Sequence, residues 1–150
     1  MALGILCLET YWGPEVDDRR SVAGLLPILE NSAEGLYAAH RHVVDRGDFE
    51  AYLSGAWPWD RYDLLYIAAH GDSGAITDED GNNITLRWLR AQMKNRCRGR
   101  VIYLAGCRTA DISEATAERF LSETKAAALV GYTKDVDWLQ SAQMDFLVLG

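Results

Sequence analysis

The sequence predicts an α/β fold with a mainly parallel sheet, and three observations lead there. The runs "GILCLE" (4–9), "LLYIAAHG" (64–71) and "VIYLAGC" (101–107) are continuously apolar and rich in β-formers, the pattern of strands covered on both faces. Segments with apolar residues at helical spacing lie between them, as in repeated strand–helix–strand units. With 150 residues, 49% of them hydrophobic and 25% charged, the chain can bury a core as one domain spanning 1–150 and is too apolar to be disordered.

The first strand, 4–9, gives way to the polar, Gly- and Pro-containing loop "TYWGPEVDD". Val22, Leu25, Leu26 and Leu29 then recur at helical spacing. They predict a helix over 17–31, with Asp17 and Asp18 at its positive end and Pro27 kinking it. "LYAAHRHVV" (36–44) predicts a short strand and "DFEAYLSGA" (48–56) a short helix. The aromatic "WPWDRY" leads into the 64–71 strand, and Trp57, Trp59 and Trp138 are expected in packing. The Asp-Gly signal within "AITDEDGNNIT" predicts a hairpin. Thr85 is placed to cap a helix with Leu86, Leu89 and Met93 on one face, closed by the basic "KNRCRGR" and Gly99. After the 101–107 strand, Asp111 and Glu114 have N-cap and N3 spacing for a helix to 124, with Ala117, Phe120 and Leu121 inward. "AAALVGYT" (126–133) is the next strand and "SAQMDFLVLG" opens another helix. The apolar, uncapped end of that helix points to further chain or a partner beyond Gly150.

Charge and composition exclude several functions. With 22 acidic residues against 15 basic, a net charge of −7 gives phosphate backbones no attractive surface, which argues against nucleic acid as a partner. No stretch approaches the ~20 apolar residues that cross a bilayer, so no membrane partner is expected. The first residues lack a basic start and carry Glu9, which reads as a buried strand rather than a signal peptide. Three cysteines, Cys7, Cys97 and Cys107, form an odd set without framework spacing, so the expectation is a reduced, cytoplasmic protein.

The chemistry lies in two strands that echo one another. Ligands of an open parallel sheet gather outside the carboxyl ends of its strands. If 64–70 and 101–107 are parallel neighbours, His70 and Cys107 emerge side by side on that rim. A thiol is only partly ionised at neutral pH, and an imidazole within reach makes it a better nucleophile and holds a proton for the leaving group. Gly71 leaves backbone free of a Cβ where a substrate carbonyl must approach. The N–H groups of Gly71 and Cys107 are the candidate oxyanion hole, a device in which losing one donor costs about 10²–10³ in rate.

An apolar strand ending in His-Gly, followed after one helix by an apolar strand ending in a small residue and Cys, resembles the caspase-fold (clan CD) cysteine peptidases. "AGCR" is similar to the "ACR" at the caspase nucleophile, and "ALVGYTKDVDWLQSA" (128–142) resembles the strand, loop and helix of the CHAT branch. The likeness spans roughly 60–145. It implies a caspase-like three-layer α/β/α sandwich and an endopeptidase with His70 as base and acid and Cys107 as nucleophile. It also implies a protein or peptide substrate and a role in bacterial defence or programmed death. The chain departs from the pattern in three ways. Only 37 positions separate His70 from Cys107, against about 50 in caspases. Ala105 stands where many basic-specific relatives carry an acid. The family normally has a further strand after the equivalent of 126–133, which this sequence ends too soon to show; the incomplete sheet edge points either to a truncated chain or to a protein that pairs with another copy or a partner subunit. Asp135 and Asp137 lie in the loop that the resemblance places along the S1 pocket, where one of them would select a basic P1 side chain.

Other features carry plainer readings. Asp72 and Ser73 follow the His-Gly pair and either orient a substrate or solvate the loop. Cys7 reads as core and Cys97 as incidental. His40 and His42 alternate on one face of the 36–44 strand without a CxxC or HxxxH pattern, so they read as surface or half-buried histidines. The residues imply no metal and no organic cofactor. A catalytically inactive caspase-like scaffold or regulatory module is the main alternative. A flavodoxin-like binding domain is the weaker one, because the acidic loop after the first strand would repel phosphate.

Overall fold

The computed structural model of the chain describes residues 2–55 and 59–149. Trp57 and the expected helix end at Ala56 lie outside the described residues, as does Gly150. Five parallel strands form the main sheet: β1 (Leu3–Glu9), β2 (Leu36–His42), β3 (Leu64–Ala68), β7 (Val101–Ala105) and β8 (Ala128–Gly131). Their order is β2-β1-β3-β7-β8. A second, antiparallel sheet of β4 (Gly71–Asp72), β5 (Ala75–Thr77) and β6 (Asn83–Thr85) sits between β3 and β7 in the chain. The hairpin expected around Asp80-Gly81 is therefore present. Its third strand, β4, takes over Gly71 from the longer run expected at 64–71.

Alternation along the strands sends side chains into two cores. Leu6, Leu8, Leu65, Ile67, Ile102 and Leu104 face one side, with Phe49 and Leu53 of α2 (Arg46–Leu53), Leu89 of α3 (Leu86–Gln92) and Phe120 of α4 (Glu114–Thr124). Ile5, Cys7, Tyr66, Ala68, Tyr103 and Ala105 face the other, with Leu26 and Leu29 of α1 (Leu26–Ser32) and Leu149 of α5 (Trp138–Leu149). Helices thus cover both faces, in three layers. Each fully buried Leu, Ile or Phe contributes about 1.5–3 kcal/mol from water exclusion.

Three local expectations are corrected. The helix expected over 17–31 begins at Leu26, after a short 3₁₀ turn at Val22–Gly24. Pro27 lies in its first turn, where a missing N–H costs nothing, so it starts the helix rather than kinking it. Asp18 is drawn instead to Arg20, 2.5 Å away, and this pairing lowers its pKa to about 2. The N-cap of α4 is Ser113, whose hydroxyl accepts the Thr116 N–H. Asp111 accepts from Arg108 and Ser73. Helix α3 ends at Gln92, before the basic stretch, and Asn95 and Gly99 turn the chain with φ of 60° and 73°. Thr85 caps α3 as expected, accepting from Trp88 N–H.

Helix α5 is tied to the sheet by a buried carboxylate. Tyr66 and Tyr103 are in-register partners on β3 and β7, their rings stacked 5.2 Å apart. Both hydroxyls donate to Asp145, at 2.5 Å and 2.7 Å. Burial raises the Asp145 pKa above its ordinary value, with Glu9 adding to the effect and the two tyrosine bonds opposing it. A folded-state pKa above the unfolded one favours folding most at low pH. This contribution is complete below about pH 4 and is lost as pH rises through the folded-state pKa. Urea unfolding of wild type and Asp145→Asn between pH 4 and 8 is expected to show this slope in wild type and a flatter profile in the variant; parallel profiles would contradict the assignment.

Candidate active site

Strands β3 and β7 pair with Ala68 opposite Ala105, so residues equally far beyond these ends leave the sheet together. His70 and Cys107 are each two residues beyond. The backbones that follow are in contact: a Cβ on Gly71 would lie 2.5 Å from the Cys107 carbonyl oxygen and 3.1 Å from its nitrogen. A Cβ on Gly106 would lie 2.5 Å from the Ala69 carbonyl oxygen and 3.2 Å from Gly71 nitrogen. Only glycine at both positions lets the two segments approach this closely. The two N–H groups proposed as oxyanion donors therefore belong to abutting backbone.

The turn after Cys107 is sharp. Arg108 has a φ of 56°, uncommon for a residue with a side chain. Thr109, fully buried, directs its hydroxyl at the Leu104 carbonyl and, secondarily, the Gly106 carbonyl. Thr109 N–H closes back on Gly106 and Arg108 N–H donates to Lys134. Backbone strain held in place by its surroundings is a recurring property of functional turns. The Cys107 sulfur lies 3.4 Å from both the N–H and the carbonyl of Val136, so this backbone can donate to the sulfur or accept from the thiol.

His70 is held from the other side. Its Nε2 lies 2.7 Å from the Trp12 carbonyl oxygen. A carbonyl only accepts, so Nε2 carries the proton in the neutral ring and Nδ1 is left as the basic nitrogen. The Trp12 ring meets His70 edge-on at 5.2 Å and Trp138 at 5.1 Å. His70 and Cys107 line one cavity of about 380 Å³ together with Trp12, Arg20, Asp137 and Trp138. On the other flank of His70 a cavity of about 850 Å³ is bounded by the loop after β1 and the β5–β6 turn, with Glu15, Asp18, Asp78, Glu79 and Asp80 in its wall.

Of the acids expected at the substrate, Asp137 lines the smaller cavity while its carboxylate accepts Gln140 N–H at the start of α5. Asp72 and Asp135 are exposed and line neither cavity. Asp72 lies 3.5 Å from Arg108. Trp12, Arg20 and Thr109 escaped the sequence reading, although Trp12 and Arg20 sit in and after the loop at a strand's carboxyl end, where ligands gather. His40 and His42 on β2 come together with Glu9 on β1, which the sequence reading did not associate with them.

The matching family is described as "Family of unknown function (DUF6642)", and it covers residues 3–149. The chain belongs to DUF6642. No curated protein matches it. Its three thiols differ sharply. Cys7 and Cys97 are fully buried, and burial raises the pKa of Cys97 to about 11 and that of Cys7, beside Glu9 and Asp145, well above its ordinary value. Cys107 is half-buried at the cavity wall. Among the described residues the longest apolar helices are too short to cross a membrane.

Two outcomes follow from this geometry. Gly71→Ala and Gly106→Ala should each lower stability by about 1–3 kcal/mol in urea unfolding, from overpacking against backbone. Gly24→Ala, whose added Cβ meets nothing within 4 Å, should change it by less than ~0.5 kcal/mol. Iodoacetamide on the folded protein should modify Cys107 alone, read by peptide mass spectrometry; labelling at Cys7 or Cys97 at a comparable rate would show that the burial described is wrong.

Proposed function

We propose that this protein is a cysteine endopeptidase of caspase-like fold acting through His70 and Cys107. The observation that carries the reading is the shared cavity at the in-register ends of β3 and β7, with His70 on one strand's continuation and Cys107 on the other's. The resemblance of the His-Gly and Gly-Cys-Arg strands to clan CD peptidases adds weight to it.

The chemistry runs in two halves. The Cys107 thiol gives its proton to His70 Nδ1, because Nε2 is engaged with the Trp12 carbonyl. The sulfur attacks the scissile carbonyl carbon, and the carbonyl oxygen takes the negative charge opposite the N–H groups of Gly71 and Cys107. The C–N bond breaks as His70 returns the proton to the amine, leaving a thioester. Water then gives a proton to His70 and adds to the thioester carbon. Collapse releases the carboxylate and restores the thiol. Asp137 is the carboxylate in the cavity suited to a basic P1 side chain.

Hydrolysis of a peptide library varied at P1 tests this directly. Wild type should turn over peptides, Cys107→Ala should abolish turnover, and His70→Ala should lower kcat/KM by about 10²–10⁴. Better cleavage after small or apolar residues than after Lys or Arg would remove the role given to Asp137. Unchanged turnover in Cys107→Ala would end the peptidase reading. An iodoacetamide rate at Cys107 equal to that of a free thiol, with the same pH profile in His70→Ala, would favour the scaffold alternative.

A further inference from the structure

The in-register pairing of β1 with β2 sets Cys7 opposite His40 and Glu9 opposite His42. Residues paired across parallel strands, and those two apart along one strand, share a face. Glu9, His40 and His42 therefore converge at the carboxyl end of the sheet. Each offers one ligand atom, and the three atoms lie within 4.8 Å of one another. His40 Nε2 and Glu9 Oε1 are 3.6 Å apart. Zinc at bonds of about 2.0–2.1 Å needs roughly 3.4 Å between tetrahedral ligand atoms, so small side-chain rotations would close the set.

Two features ask for a cation here. His40 Nε2 is buried and has no hydrogen-bond partner, a costly state for a polar atom. Glu9 is fully buried, and a carboxylate taken out of water needs a compensating charge. The surroundings already hold the ligands in place as supporting contacts do in metal sites. Ser21 Oγ donates to Glu9 Oε1 at 2.6 Å and Val22 N–H to Oε2 at 2.7 Å, leaving lone pairs on both oxygens. Tyr11 stacks on the His42 ring at 4.7 Å.

We propose that Glu9, His40 and His42 form a binding site for a divalent late first-row metal of the zinc class. Two imidazoles and one carboxylate select such ions over calcium or magnesium, and exposed His42 leaves a coordination position open to water. The site lies at the root of the 10–21 loop. Glu9 precedes the loop, Ser21 and Val22 follow it, and Tyr11 is part of it. That loop carries Trp12, whose carbonyl holds His70. Metal uptake fixes both ends of the segment that positions His70. The binding itself does not depend on the peptidase reading.

The test is titration of chelator-treated full-length protein with Co²⁺, followed by visible d–d absorption, and with Zn²⁺, followed by calorimetry and thermal unfolding. Wild type and Cys107→Ala should each take up one equivalent, without a thiolate-to-cobalt charge-transfer band, and Zn²⁺ should raise Tm. His42→Ala, an exposed position whose loss spares the core, and His40→Ala should each weaken uptake at least tenfold, roughly the lower bound for disturbing a metal's supporting shell, and abolish the rise in Tm. No uptake by wild type would overturn the site. Uptake that persists in both histidine variants, or that disappears in Cys107→Ala, would place the metal elsewhere and overturn it equally. Because Cys107→Ala is inactive under the peptidase reading, its metal uptake separates the fate of this site from the fate of that reading.

Discussion

The close approach of two backbone segments, 69–71 and 106–107, is the constraint on which the site depends. It follows from in-register parallel pairing of β3 with β7 and from glycine at both points of contact. A slip of one residue would turn His70 or Cys107 to the opposite face, because side-chain direction alternates along a strand. The register is in turn specified by two cores, since each inward residue on β3 and β7 is buried on one side or the other. Packing far from the rim thus determines which two side chains reach it.

The loop between β1 and the first helical turn acts on the same pair from outside the sheet. Its Trp12 carbonyl assigns the His70 tautomer, and its Trp12 ring fills the corner between His70 and Trp138. Trp12 and Arg20 line both neighbouring cavities, the one that holds the thiol and the one with Glu15, Asp18, Asp78, Glu79 and Asp80 in its wall.

The three central strands were legible because their runs are apolar without interruption, which only burial on both faces explains. That His70 and Cys107 line one cavity was legible from the rule that parallel strands deliver side chains to one rim. Local ends were harder, because competing partners decide them. Asp18 has the chemistry of a helix start but is taken by Arg20. Asp111 and Ser113 are both good caps, and Arg108 removes the first from competition. Glu9 was the least legible. Its run reads as a buried strand, but only the neighbouring strand and the returning loop reveal the partners that enclose it, Ser21, Val22 and His40.

The buried Asp145 extends the same logic to α5. Replacing a buried charge by packed apolar residues is often neutral or favourable for stability, so stability alone is a weak reason to find one here. What the carboxylate supplies is direction. It accepts from Tyr66 on β3 and Tyr103 on β7, the two strands that carry the site, and so aligns the helix to both at once. The start of that helix bears Trp138 and Ser141, which wall the cavity, and just before it Val136 meets the Cys107 sulfur. An apolar contact would tolerate sliding of α5 along the sheet, whereas two hydrogen bonds to separate oxygens resist it. The position of the Val136 backbone against the Cys107 sulfur is therefore set, through α5, by two tyrosines on the strands that lead to His70 and Cys107.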